Sequence, residues 1–415
     1  MAKRKDKGPE EISLPKVKNV YARLMLVLRL LVAGAWLITS GVISYFSKDA
    51  GWTRVETKKP LEYSDDFLFY YELSSEASAE YRQLTEIYTR ELTRRHRMFD
   101  PSDRRADVKG LGALNASPNE EVVLEKEVWR ALELFERYGS RDLFLAPVYR
   151  MYSQVYLCSE DYETDGLDPA RSEERLERVR ELLDFIDDPG SVSIELLDGS
   201  RARLRVSEEY LEYASRHGID TFVDLFWYTD AFVIDSMADA LARQGLTKGY
   251  ILSRDYFLRC LDSRDIPYSI YIYDCEGSVI RDVADLEYTG PASAASLRSF
   301  AMEEGIADMY YEYTDGTVTG PFISASDGLP KAPVTALTVL GTGKSCGECA
   351  LQAARVYVAD KPDISRLGDG FSCAWVDGRV IYHLGDGLKV SSPFSKDGIE
   401  YTVRQAGPED PAIAA

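Results

Sequence analysis

The run LMLVLRLLVAGAWLITSGVISYF, residues 24–46, sets the first constraint on any fold this chain can adopt. It is apolar throughout except for Arg29 and carries no charge from Leu30 to Phe46. At about 1.5 Å per residue such a run reaches across roughly 30 Å of hydrocarbon, and Arg29 near its start can snorkel to the headgroups. Lys3, Arg4, Lys5, Lys7, Lys16, Lys18, Arg23 and Arg29 stand against only Asp6, Glu10 and Glu11 in the same opening stretch. The positive-inside rule then predicts a basic cytoplasmic N-terminus over 1–23, a transmembrane helix over 24–46 and an extracytoplasmic body, single-pass in the cell membrane. Ala33-Gly34-Ala35 has the small-x-small look of a cleaved signal peptide, but the apolar run continues to Phe46, which suits an anchor better.

The opening is basic while the whole 415-residue chain carries −20, so the body is strongly acidic. Such a body repels phosphate backbones, which excludes nucleic acid as a partner. All six cysteines (Cys158, Cys260, Cys275, Cys346, Cys349, Cys373) follow the apolar run. An even number outside the cytoplasm permits disulfides, and buried free thiols stand equally open.

Periodicity places the main elements. Residues 74–97 show Tyr81, Leu84, Ile87, Tyr88 and Leu92 at helical spacing. Ser117-Pro118-Asn119-Glu120 has the form of a capping box opening a helix that runs to Tyr138 and stops at Gly139. Residues 192–206 form a hairpin on Asp198-Gly199, and 373–383 another on Asp377-Gly378. Thr229 or Asp230 caps a helix to Gln244, followed by a strand at Gly249. Helices and strands interleave without a βαβ rhythm, so the fold class is α+β, with a loose tail over 396–415.

Several chemistries are excluded by count. His96, His217 and His383 lack metal-ligand spacing, and G-x-G-x-x-G does not occur. Gly341-Thr342-Gly343-Lys344-Ser345 imitates the end of a phosphate loop, but Thr338 stands where the first glycine is needed. The adjoining Cys346-Gly347-Glu348-Cys349 opens a helix on which Cys346, Cys349, Ala350, Ala353 and Tyr357 share one face. Its thiols are candidates for a redox pair, because a helix N-terminus lowers a thiol pKa, or for small hydrophobes in a core.

Taken in order, five stretches resemble the FAD:protein FMN transferases of the ApbE type. They are Met98-Phe99-Asp100-Pro101-Ser102 with Leu114-Asn115; Tyr138-Gly139-Ser140-Arg141-Asp142 with Ala146-Pro147-Val148; Val223-Asp224-Leu225-Phe226-Trp227-Tyr228-Thr229-Asp230 to Asp235; Pro321 to Pro330; and Glu348-Cys349-Ala350-Leu351-Gln352-Ala353-Ala354. The resemblance implies an ApbE-like domain over 47–395, FAD as cofactor, Mg²⁺ at its pyrophosphate and a threonine of a target protein as acceptor. Family-equivalent catalytic positions are Asp224, Asp230, Asp235 and Asp327, and cofactor-binding positions are Asn115, Gly305 and Gly328.

The departures fall on the chemistry. Phe226 and Trp227 replace two glycines, Asp230 replaces a lysine, and Cys349 and Ala353 replace the oxygen ligands of the metal. Ser324-Ala325 replaces an Asp-Pro pair, and Glu304 replaces a serine. A thiol is a poor ligand for a hard cation and a methyl group is none. The expectation is a membrane-anchored, catalytically degraded relative that serves as a binding or assembly partner of another extracytoplasmic protein or flavoprotein. An FMN transferase with a rearranged site, using FAD and Mg²⁺, and a thiol-redox module on Cys346 and Cys349 are the alternatives.

Overall fold

The computed structural model describes residues 48–61, 64–254, 257–302, 309–395 and 398–407. Nine strands form one sheet and cross it in the order in which the chain makes them: Gly51–Val55, Phe67–Leu73, Gly249–Ser253, Phe257–Cys260, Ala292–Arg298, Ala336–Thr342, Phe371–Asp377, Val380–Leu384 and Thr402–Gln405. Neighbours pair antiparallel except the last two, which are parallel. The final strand lies within the stretch expected to be a loose tail, and its Val403 packs on a hydrophobic core.

Alternation along the strands gives the sheet two apolar faces. One face packs under a helical block whose principal members are Ala77–Phe99, Lys126–Tyr138, Ala146–Tyr156, Glu173–Asp187, Thr229–Ala242 and Cys346–Tyr357. In Ala77–Phe99 the buried residues Leu84, Ile87, Tyr88, Leu92, Arg95, Met98 and Phe99 recur at three and four, the spacing that sequence alone predicts. The other face carries a smaller core roofed by the long hairpin Pro267–Glu276 and Val279–Thr289, with Lys389–Val390 as third strand. The hairpin Val192–Leu197 and Arg201–Val206 turns at the Asp198-Gly199 position read from the sequence.

One helix start differs from expectation. Ser117-Pro118-Asn119-Glu120 does not open a helix; the helix begins at Lys126 and ends on Gly139 at φ +62. Asn119 takes φ +66, and its side-chain amide exchanges two hydrogen bonds with the backbone of Val206, at 2.8 and 3.0 Å. Glu121–Val123 then pairs with the Arg201–Val206 strand. Tertiary pairing with the hairpin outcompetes the local capping pattern.

Among the described residues no helix is long and apolar enough to cross a membrane. The longest, Ala77–Phe99, has 23 residues but carries Glu80, Arg82, Glu86, Arg90, Glu91, Arg94, Arg95 and Arg97, charges that hydrocarbon does not accept. The expected span at 24–46 lies outside the described residues. The expectation of a single-pass membrane protein with a membrane partner, a cytoplasmic N-terminus and an extracytoplasmic body is accordingly corrected. What stands is an α+β domain with no membrane-spanning helix among the described residues.

Candidate functional site

Apart from Asp230 and Gly305, the positions singled out in the sequence fall into three clusters. The first joins the helices Thr229–Ala242 and Cys346–Tyr357. Asp235, one turn and a half into the former, accepts from the backbone N–H of Cys346 at 2.8 Å and of Gly347 at 2.9 Å. Arg259, on the strand beneath, donates to Asp235 and to the Lys344 carbonyl, both at 3.0 Å. Ser293 Oγ donates to the same carbonyl at 2.7 Å. Burial pushes the Asp235 carboxyl up, and Arg259 with the two amides opposes that.

The rest of the helix terminus is also spoken for. Ser345 Oγ accepts from the Glu348 N–H at 3.1 Å, and Glu348 returns the bond to the Ser345 N–H at 2.9 Å. The N–H groups of Ser345, Cys346, Gly347 and Glu348 are thus all satisfied by the protein, so this helix start offers none of them to a phosphate. A Cβ on Gly347 would lie 2.7 Å from Phe232 Cε1, so glycine there lets the two helices close on each other. The cleft beside this terminus holds about 280 Å³ and is lined by Phe232, Asp235, Asp239, Arg259 and Glu348 among others. That volume is below the roughly 300–1,000 Å³ of ordinary cofactor pockets.

Cys346, Cys349 and Ala353 are fully buried on the core-facing side of the helix. Cys346 Sγ donates to the Leu258 carbonyl at 3.2 Å and Cys349 Sγ to the Ser293 carbonyl at 3.3 Å. All six cysteines are free. Burial pushes both helix thiols far up, the opposite of what an attacking thiolate needs. Mg²⁺ requires oxygen ligands, and Cys349 with Ala353 supplies none, so the residues present do not fit the metal that the resemblance implies. Among the described residues no group of three or more His, Cys, Asp or Glu side chains is placed to hold a metal ion.

The second cluster surrounds Asp224, which accepts from the Phe226 N–H at 2.8 Å in an Asx turn. Phe226 adopts φ +48 and stacks on Tyr149 with ring centroids 4.3 Å apart. Trp227 is buried against Tyr228 at 3.8 Å and edge-on to Phe322 at 5.1 Å. Tyr228 in turn donates its phenol to Asp142, which burial pushes up. Asn115 spends its whole amide here: it donates to the carbonyls of Val223 at 2.8 Å and Pro101 at 3.2 Å. It also accepts from the N–H groups of Phe222 and Val223, each at 3.0 Å. Burial raises the Asp224 carboxyl to about 6, with Asp100 adding to the rise and the Phe226 and Leu225 amides opposing it.

The third cluster holds Asp327 and Gly328. Lys331 Nζ bridges Asp327 and Asp360, each at 2.6 Å. Gly328 takes φ +70, its carbonyl accepts from Tyr152 at 3.1 Å, and a Cβ there would lie 2.1 Å from Val179. Asp230 is partly buried at the start of its helix, and Gly305 lies outside the described residues. Sequence reasoning missed Arg259, Tyr149 and Tyr228; a lone arginine in the otherwise apolar strand Phe257–Cys260 was the available signal for the first.

No family model matches the sequence, and no curated protein matches it. The fold is similar to that of the ApbE protein from Thermotoga maritima, with TM-score 0.55 and 14% identity over 79% of this chain and 94% of that one. The flavin transferase ApbE from Vibrio cholerae aligns with TM-score 0.49 and 14% identity over 83% of this chain and 97% of that one. At 14% identity the likeness to the Thermotoga maritima ApbE protein is one of fold.

Three measurements check this description. Asp235→Ala removes the acceptor of two amides and the ion-pair partner of Arg259, and is expected to cost about 2–3 kcal/mol in urea unfolding, with Asp235→Asn costing less. Cys346 and Cys349 are expected to resist alkylation until the domain unfolds, read by mass mapping against denaturant. Asp224 has a folded pKa of about 6, above the ordinary carboxylate value of 3.8. The native state therefore holds a proton that the unfolded state has lost, and stability is expected to rise as pH falls from 7 towards 4. Asp224→Asn should flatten that slope.

Proposed function

We propose that this chain is a divergent ApbE-fold protein that has lost flavin transfer and works as a binding or assembly protein. The observation that carries the reading is the state of Cys349 and Ala353. Both stand where the resemblance puts metal ligands, both are fully buried, and the Cys349 thiol is turned to a strand carbonyl. Without a hard-cation ligand set, charge developing on a transferred phosphoryl group has no metal ion to stabilise it at this helix.

Phe226 supports the same reading from another side. Its φ of +48 is a left-handed conformation that favours glycine, and glycine is the residue the resemblance places there. The backbone has kept a glycine-like turn while the side chain fills the space above Tyr149. Trp227, next to it, is also buried in aromatic contacts. Asn115 and Gly328 serve hydrogen bonding and close packing within the fold.

The test is to incubate the full-length chain with FAD and Mg²⁺ and to measure AMP by chromatography. No release above the protein-free control is expected, and restoring Cys349→Asp alone should recover nothing, because such sites act as units. Mg²⁺-dependent AMP release that is lost on substituting Asp224 or Asp327 would overturn the proposal.

A further inference from the structure

On a chain of net charge −20, any gathering of cations departs from its surroundings. One lines a cleft between the helices Ala146–Tyr156 and Glu173–Asp187, closed at one end by residues 217–221. The first helix supplies Pro147, Arg150 and Gln154 to the lining, and the second supplies Arg175, Arg178 and Leu182. Both sets follow an i, i+3, i+7 spacing, so each is a single helix face.

The charges in this cleft do not balance. Asp220 is the sole carboxylate in its lining among the described residues. It pairs with Arg150 at 2.9 Å and with Arg104, which is not part of the lining, at 3.1 Å. Arg175 and Arg178 make no ion pair among the described residues. Arg175 Nε donates to the Gly166 carbonyl at 3.2 Å, and Arg178 Nη2 to the His217 carbonyl at 3.3 Å. The Tyr213 phenol beside Arg178 donates to Glu181 at 2.9 Å. Arg178 Nε is buried and has no hydrogen-bond partner. A buried charged donor left unpaired is costly, and native structures seldom keep one without a use for it.

Size and lining narrow the ligand. The cleft holds about 230 Å³, below the roughly 300–1,000 Å³ of pockets that enclose a whole cofactor. Among the described residues its lining has no Phe, Tyr or Trp, so it offers no platform for a nucleobase or a flavin ring. Three guanidinium groups against one carboxylate leave two positive charges. A phosphate monoester, close to a dianion at neutral pH, balances both, whereas a carboxylate balances one. The guanidinium fork also matches phosphate oxygens in pairs and stays charged throughout the ordinary pH range.

We infer that this cleft binds a phosphate monoester group. Arg175 and Arg178 hold it from one helix, and Arg150, with its side chain 62% exposed, closes on it from the other. Arg178 Nε gains the acceptor that the fold does not supply. The same chemistry is presented by a small free phosphate ester and by a phosphorylated side chain of a partner protein. The site uses no residue of the three clusters around Asp224, Asp235 and Asp327, so it stands apart from the lost-transferase reading and is tested without flavin.

Radiolabelled inorganic phosphate is dialysed to equilibrium against the full-length chain at constant ionic strength, with radiolabelled acetate as the control anion. Saturable phosphate binding is expected, weakened about ten-fold or more by Arg178→Met and by Arg175→Met, the factor that a lost charge-assisted hydrogen bond implies. Circular dichroism checks each fold, and Arg175→Met carries the comparison if Arg178→Met unfolds. A short phosphoserine peptide and glycerol phosphate then compete for the labelled phosphate. Stronger competition by the peptide assigns the group to a partner protein, and any other order assigns it to a small free ester. No saturable phosphate binding, acetate bound as tightly, or phosphate binding indifferent to the folded variants would overturn the inference. AMP release from FAD, measured separately, bears on the lost-transferase reading alone.

Discussion

The contact between Asp235 and the start of the Cys346–Tyr357 helix holds four elements at one point. The carboxylate comes from the helix Thr229–Ala242, the amides from the second helix, the guanidinium from the strand Phe257–Cys260, and Ser293 adds the next strand through the Lys344 carbonyl. Each partner is costly to leave unpaired in a partly buried setting, so the four settle together. A helix N-terminus attracts negative charge, and here the fold supplies that charge from within. The terminus that could cradle an outside phosphate is instead a clasp that fixes two helices to the sheet.

Much of the architecture was legible because it is written in periodicity. The three-and-four spacing of Leu84, Ile87, Tyr88 and Leu92 specifies one helix, and Asp198-Gly199 between alternating strands specifies a hairpin. What failed was local grammar overruled at a distance. Ser117 to Glu120 satisfies the form of a capping box, yet Asn119 finds better partners on Val206, far along the chain. The strand Thr402–Gln405 was missed because a short parallel strand at a sheet edge leaves almost no pattern.

The site was legible by position and much less by role. Asp224, Asp235, Asn115 and Gly328 could all be picked out, but each is engaged in turns, caps or packing, a fact that sequence spacing cannot express. The thiols Cys346 and Cys349 looked open to redox chemistry at a helix start; depth in the core, not position on the helix, sets their acidity. One aromatic cluster was invisible for a different reason. Trp52, Tyr70, Tyr250, Tyr268 and Tyr288 are scattered over most of the chain and become neighbours only through the sheet register.

The order of the sheet has a consequence for how the molecule assembles. Phe67–Leu73 pairs directly with Gly249–Ser253, Tyr71 opposite Gly249, although most of the helical block lies between them in the chain. Closing a loop of roughly 175 residues costs about 4–5 kcal/mol of chain entropy before any contact across that seam repays it. The strands from Gly249–Ser253 onward face shorter closures and can zip in succession. Of the neighbouring strands in this sheet, Phe67–Leu73 and Gly249–Ser253 lie farthest apart in the chain, and the stack of Tyr70 on Tyr250 is made across the seam between them.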